Sequence, residues 1–132
     1  MPEFIRHHGF VSKGSAAGQA LLDRLYRQSH LFILPTRYEA YGLVFVEAAS
    51  YGLPSLASAV GGVTTIVRNN ANGQLFAPDA TPVEYADYAE RLLQNPARYA
   101  ALCRSAFDEY EQRLNWKRFG ETVRELVSTI AR

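Results

Sequence analysis

Short apolar runs alternate with longer amphipathic stretches through the first half of the chain. The run Leu31–Leu34 stops at Pro35 and predicts a strand buried on both faces, as in a parallel sheet. Upstream of it, apolar residues recur at helical spacing over residues 15–28, which predicts a helix. The apolar pairs Phe4-Ile5 and Phe10-Val11 flank a segment near Gly9, which indicates a short strand or an extended segment.

The alternation continues downstream of this first strand. A second helix is predicted from Gly42 to Tyr51, and the sequence Gly52-Leu53-Pro54 ends it. Ser55–Ser58 suits the next strand. A third strand, Gln74–Phe76, follows the strong turn signal Asn72-Gly73.

Helices take over after this third strand. Thr81 and Glu84 form a capping box, with Pro82 at the first helical position, and Asn95-Pro96 repeats the signal of a cap followed by proline. One face of the first of these helices is predicted to carry Ala86, Ala89, Leu92 and Leu93. Asn115 can cap a last helix. The apolar stripe of that helix comprises Trp116, Phe119, Val123, Leu126, Val127 and Ile130.

These elements predict an α/β fold with a mostly parallel sheet that ends in helices. Residues 1–132 are enough for one domain with a core, but the strands are fewer than in a complete doubly wound domain. We therefore expect the chain to be part of a larger domain.

Composition narrows the possible partners. Fourteen Lys and Arg against thirteen Asp and Glu give no electrostatic case for nucleic acid or for an anionic membrane surface. The single cysteine, Cys103, cannot form an internal disulfide and fits a reducing compartment, so we expect the cytoplasm.

The segment from Pro35 to Pro54 carries the candidate chemistry. It joins the end of a buried strand to a helix, which is where open α/β sheets bind ligands. The start of the helix at Gly42 offers unpaired N–H groups that suit a diphosphate. Glu39 in the loop and Glu47 in the helix can face the same pocket and accept hydrogen bonds from sugar hydroxyls. Two alternatives stay open: Glu39 is a simple loop carboxylate that can cap the helix at Gly42, or Glu47 faces solvent or a structural arginine.

Several motifs resemble one known family in the same order along the chain. Glu39-Ala40-Tyr41-Gly42-Leu43 and Glu47-Ala48-Ala49-Ser50-Tyr51-Gly52-Leu53-Pro54 resemble the E-x7-E signature of the retaining GT-B glycosyltransferases, the "glycosyl transferases group 1" family. Ser58–Val63 is similar to the family's glycine-rich loop, and Asn72–Phe76 to its N-G-x-L turn. His8–Val11 is similar to its G-F-V stretch. The resemblance implies a Rossmann-like sheet, as part of a GT-B C-terminal domain.

The resemblance also implies site residues. Glu39 would contact the donor sugar and act in catalysis, and Glu47 would bind the ribose hydroxyls. The backbone amides of Ala40, Tyr41, Gly42 and Leu43 would hold the sugar and the diphosphate, and Gly61 and Gly62 would shape the pocket wall. The donor would be a UDP-, GDP- or ADP-linked sugar, transferred with retention of configuration, with no metal ion and no cofactor.

Other parts of such an enzyme are expected outside this chain. They are the N-terminal domain that holds a sugar or lipid acceptor, the basic residues that clamp the diphosphate, and any contact with a membrane. The chain alone is therefore expected to be inactive. Thr64 and Thr65 stand where the family usually has a proline and a glutamate. This departure and the missing parts leave open a non-catalytic nucleotide-binding module of the same fold. A nucleotide-sugar epimerase of related architecture is a further alternative.

Overall fold

In the computed structural model, which describes residues 2–130, three parallel strands form one sheet in the order β1-β2-β3. Met1 and the last two residues of the predicted domain lie outside this range. The elements in chain order are α1 (Ala16–Gln28), β1 (Phe32–Leu34), α2 (Leu43–Ser50), β2 (Ser55–Ser58), α3 (Val63–Ile66), β3 (Gly73–Phe76), α4 (Pro82–Leu93), α5 (Pro96–Glu109) and α6 (Trp116–Ile130). A π-helical turn, Tyr110–Leu114, joins α5 to α6. The predicted α/β class with a parallel sheet is confirmed.

The middle strand, β2, is buried along its whole length. Ser55 pairs with Phe32 of β1 on one side and with Gly73 of β3 on the other. All four β2 residues are buried, because helices cover both faces of the sheet at this strand. This central strand brings the loops that follow β1 and β2 to the same edge of the sheet.

The prediction that β1 is buried on both faces is wrong for Ile33, which is 49% exposed. Phe32 and Leu34 pack against the core between the sheet and α2. Ile33 is paired with Leu56 and points to the opposite face, which is the α4 side. Tyr85 of α4 contacts β2 and β3 there, so β1 stays uncovered on this face.

The main core lies between the sheet and the helices α2 and α3. Its buried members are Phe45, Ala49, Ala57, Val63, Ile66, Val67 and Leu114. Phe45 is the largest of the fully buried side chains, and its ring meets that of Phe32 edge to face, with 5.5 Å between the ring centroids. The helix that carries Glu47 is therefore fixed to the sheet through Phe45.

Asn72, in the predicted turn before β3, is buried and makes two hydrogen bonds with its side chain. The amide nitrogen donates to the carbonyl oxygen of Ile66 at 2.8 Å, and the amide oxygen accepts from the backbone N–H of Arg68 at 2.7 Å. The asparagine thus ties the end of α3 to the start of β3.

We expect Asn72→Ala to lower the free energy of unfolding by about 2 kcal/mol, because the Arg68 N–H loses its acceptor and the Ile66 carbonyl oxygen loses one of its two donors, the other being Arg113. Urea unfolding followed by circular dichroism measures the change. Asn69→Ala is the matched control. It removes one exposed hydrogen bond, from Leu75 N–H at 2.7 Å, and should cost about 1 kcal/mol or less. Equal losses in the two variants would contradict this role of Asn72.

The helix caps predicted after β3 are confirmed. Glu84 accepts a hydrogen bond from the Thr81 N–H at 2.8 Å, which also holds the pKa of this carboxyl below its usual range. Asn95 caps α5 through the N–H of Arg98, and Asn115 accepts from the N–H of Arg118 at 3.0 Å. Side-chain caps depend on neighbours three residues away, which is why local sequence predicts them.

The apolar face of α4 coincides only in part with the face that is buried. Tyr85 and Leu92 are buried, whereas Ala86 and Leu93 are exposed. The helix is rotated because the ring of Tyr85 stacks on Phe76 with 4.0 Å between centroids. The larger aromatic contact fixes the face of α4 that meets the sheet.

Two other apolar segments are largely exposed. The segment Phe4–Val11 has no strand, and Phe4 and Phe10 are exposed. All six residues of the apolar stripe on α6 are exposed as well. None of the helices within residues 2–130 combines the length and the apolar character needed to cross a membrane.

Candidate functional site

The loop between β1 and α2 leads from the carboxyl end of the sheet to an open helix start. Gly42, the residue before α2, has a φ of +93°, in the left-handed region that favours glycine. Its carbonyl oxygen accepts a hydrogen bond from the N–H of Phe45 at 3.0 Å. Because glycine has no side chain that could cap the helix, the first N–H groups of α2 remain available to a ligand.

A second loop, the glycine turn after β2, packs backbone to backbone against the first. The N–H of Gly62 donates to the carbonyl oxygen of Glu39 at 3.2 Å. A Cβ atom built on Gly61 would lie 2.1 Å from that oxygen, and one built on Gly62 would lie 2.3 Å from the carbonyl oxygen of Ala40. Only glycines allow this approach. The structure therefore brings Glu39, Ala40 and Tyr41 together with Gly61 and Gly62.

Glu39 is half-buried beside the start of α2. Its Cγ lies 3.4 Å from the place that a Cβ of residue 42 would occupy. Among the described residues, none forms a hydrogen bond or an ion pair with its carboxylate. The carboxylate is thus free of internal partners and does not cap the helix, which was one of the alternatives considered for it.

Glu47 is held differently, through contacts with α1 and with the segment before it. Oε1 forms an ion pair with the Lys13 ammonium, and Oε2 accepts a hydrogen bond from the Tyr26 hydroxyl at 3.1 Å. Lys13, Tyr26 and Glu47 line a cavity of about 390 Å³, and Glu39 is not among its lining residues. The expectation that both carboxylates face one pocket is not met by this cavity.

The Tyr26 ring belongs to a cluster of polar and aromatic side chains. It stacks on Tyr51 with 5.1 Å between centroids, and the Tyr51 hydroxyl donates to Asp23 at 3.0 Å. Burial, and after it the charge of Glu47, raises the pKa of Tyr26 well above its ordinary range. A hydrogen bond from Arg27 lowers the pKa of Asp23. Tyr26 is therefore a neutral donor at physiological pH, and the Glu47 carboxylate is its acceptor.

Arg113 also supports the site, and sequence reasoning missed it. Its guanidinium donates to the carbonyl oxygens of Thr65 at 2.6 Å and Ile66 at 2.8 Å, and it pairs with Glu109 at 2.6 Å. These carbonyls end α3, the short helix that follows the glycine turn. The spacing of Glu109 and Arg113 could have indicated a pair on one helix face, but not the contact with α3.

Thr64 and Thr65, which depart from the family pattern, turn their hydroxyls to the backbone. Thr64 donates to the carbonyl oxygen of Gly61 at 3.2 Å, and Thr65 to that of Gly62 at 2.7 Å. Both therefore stabilise the glycine turn in this chain.

We compared the chain with sequence-profile families, curated proteins and solved structures. The sequence profile described as "Glycosyl transferases group 1" matches residues 6–113. A sucrose synthase of Nitrosomonas europaea is 32% identical over 120 residues, which are 86% of this chain and 15% of that protein.

Two solved structures share the fold. Sucrose-phosphate synthase from Thermosynechococcus elongatus has a TM-score of 0.69 and 29% identity, over 83% of this chain and 28% of that one. Anabaena Alr3699/HepE in complex with UDP has a TM-score of 0.71 and 24% identity, over 80% and 29% of the two chains. The chain thus spans well under half the length of each of these three proteins.

Proposed function

Because the chain belongs to the glycosyl transferases group 1 family, we propose that it forms the donor-binding part of a retaining glycosyltransferase that works without a metal ion. One observation carries the proposal. The loops after β1 and β2 meet backbone to backbone beside an uncapped helix start, with the unpaired carboxylate of Glu39 next to it. The complex of the Anabaena neighbour with UDP supports a nucleotide ligand.

Each residue has a role in this proposal. The N–H groups from Ala40 to Leu43 bind the diphosphate and the sugar, since a helix start concentrates unpaired donors and positive potential. Glu39 accepts hydrogen bonds from the sugar hydroxyls, and Glu47 accepts them from the ribose. Gly61 and Gly62 keep the loop of Glu39 in place.

The reaction would transfer the sugar from the diphosphate to an acceptor hydroxyl. The bond between the anomeric carbon and the phosphate oxygen breaks, the acceptor oxygen forms the new bond on the same face of the sugar, and the acceptor hydroxyl proton passes to the departing diphosphate. Negative charge develops on the departing diphosphate, and donors fixed in advance stabilise it most effectively. Parts of the protein outside this chain would hold the acceptor and supply basic residues for the diphosphate, with the cytoplasm as the expected compartment.

A backbone NMR titration of the chain with UDP, GDP and ADP, and with UDP-glucose, tests the proposal. We expect weak binding, with shifts concentrated in residues 39–47 and 61–65. Glu47→Gln should weaken binding by about tenfold, because an acceptor of charged hydrogen bonds is lost. Glu90→Gln, an exposed change on α4, is the control and should bind as the unmodified chain does. Absence of shifts in these loops with every nucleotide would contradict donor binding by this chain.

A further inference from the structure

Tyr26 packs against two aromatic rings. It lies near the end of α1 and is half-buried. Its ring stacks on Tyr51 at an interplanar angle of 15° and leans on Phe32, 6.3 Å away between centroids. These two ring contacts hold the phenol where its hydroxyl donates to Glu47 Oε2 at 3.1 Å.

The two groups that bind the Glu47 carboxylate differ in how firmly the surrounding structure holds them. Lys13 lies in the irregular segment before α1, and its side chain is 58% exposed, so solvent or a ligand can replace its ammonium at Oε1. Tyr26 binds Oε2 from a packed ring and cannot move away without disturbing the aromatic stack. The orientation of the carboxylate is therefore set by Tyr26 and not by Lys13.

We propose that Tyr26 is a positioning residue for donor binding, which holds one oxygen of Glu47 so that the remaining acceptor sites face the ribose. The inference rests on the proposed function, in which Glu47 binds the ribose hydroxyls. A carboxylate offers roughly four acceptor sites. Tyr26 and Lys13 occupy two of them, and two remain for the two hydroxyls of a ribose.

The hydrogen bond also links two helices that follow each other in the fold. Tyr26 belongs to α1 and Glu47 to α2, and the chain between them forms β1 and the loop of Glu39. Because its pKa is raised, the Tyr26 phenol is neutral and donates its single proton to the Glu47 carboxylate. Loss of this donor should leave the helices packed, because the ring contacts remain in a phenylalanine variant.

The first experiment needs no ligand. The side-chain carboxyl carbon of Glu47 is followed by ¹³C NMR at neutral pH in the unmodified chain, in Tyr26→Phe and in Tyr99→Phe. The control removes a comparable phenol hydrogen bond, from Tyr99 to the carbonyl oxygen of His30 at 3.0 Å. We expect the Glu47 signal to move in Tyr26→Phe only. An unchanged signal in Tyr26→Phe overturns the inference, whether or not a nucleotide binds.

The second experiment measures dependence on the ribose. Each protein is titrated with two compounds: the nucleoside diphosphate, UDP, GDP or ADP, that binds best, and the 2′,3′-dideoxy form of the same nucleoside diphosphate. We expect the unmodified chain and Tyr99→Phe to prefer the ribonucleotide. Tyr26→Phe should bind the ribonucleotide about tenfold more weakly and the dideoxy form equally well.

Two results would reject the proposal. They differ in whether the role of Glu47 in ribose binding is rejected as well. If Tyr26→Phe keeps the full preference for the ribonucleotide, the hydrogen bond is structural only, and the role of Glu47 stands. If the unmodified chain itself shows no preference, the assignment of Glu47 to the ribose fails, and the positioning role of Tyr26 fails with it.

Discussion

Replacing Phe45 with alanine is expected to lower the free energy of unfolding by about 3–5 kcal/mol. The side chain is 1% exposed at the centre of the core between α2 and the sheet. Its removal loses the burial of an aromatic ring and the edge contact with Phe32, and it leaves a cavity that the short strands cannot close. Urea unfolding, followed by fluorescence and circular dichroism, measures the change.

Leu43→Ala is the matched control for Phe45→Ala. Leu43 lies on the same helix, is 51% exposed and is not a member of the core. Its substitution should change the free energy of unfolding by about 0.5 kcal/mol or less. A loss below about 1 kcal/mol for Phe45→Ala would contradict the packing of α2 described above.

Gly62→Ala is expected to disturb the site and the fold together. The added methyl would lie 2.3 Å from the carbonyl oxygen of Ala40 and 2.8 Å from the Cα of Tyr41, so the two loops would have to separate. We expect a loss of about 3 kcal/mol in the free energy of unfolding, at the upper end of overpacking. Nucleotide-induced NMR shifts in residues 39–43 should disappear, because the amides lose their alignment.

Gly120→Ala tests whether this effect belongs to the contact between the loops. Gly120 lies in α6, and a Cβ atom built there has no neighbour within 4 Å. Alanine is a better helix former, so this variant should gain about 0.5–1 kcal/mol. If Gly62→Ala keeps nucleotide shifts of normal size, the close approach of the two loops is not needed for binding.

The sequence predicted those features that depend on near neighbours. The start of α2 at Gly42, its end before Pro54, and the caps at Thr81, Asn95 and Asn115 all agree with the structure. Each depends on a backbone conformation or a hydrogen bond within a few residues. The class of fold followed from the order of these elements, and the ordered motifs indicated the family.

Features set by distant contacts could not be predicted in this way. Ile33 is apolar like its neighbours, and its exposure depends on where α4 packs. The partners of Glu47 lie 21 and 34 residues away, at Tyr26 and Lys13, and no local spacing indicates either contact. The hydrogen bonds from Arg113 to the carbonyl oxygens at the end of α3 join residues that lie 47 and 48 positions apart in the sequence.

The loop between β1 and α2 joins the glycine turn after β2 through main-chain atoms, while its tyrosine side chains are largely exposed. Tyr38 is 83% exposed and Tyr41 49%, yet the atoms that meet the glycine turn are the backbone atoms of Glu39, Ala40 and Tyr41. Exchange of the outward side chains leaves these main-chain contacts intact. Mutation can therefore alter the exposed surface of this loop at little cost in folding. In evolutionary terms, the side-chain surface of this loop and the architecture that holds it can change independently.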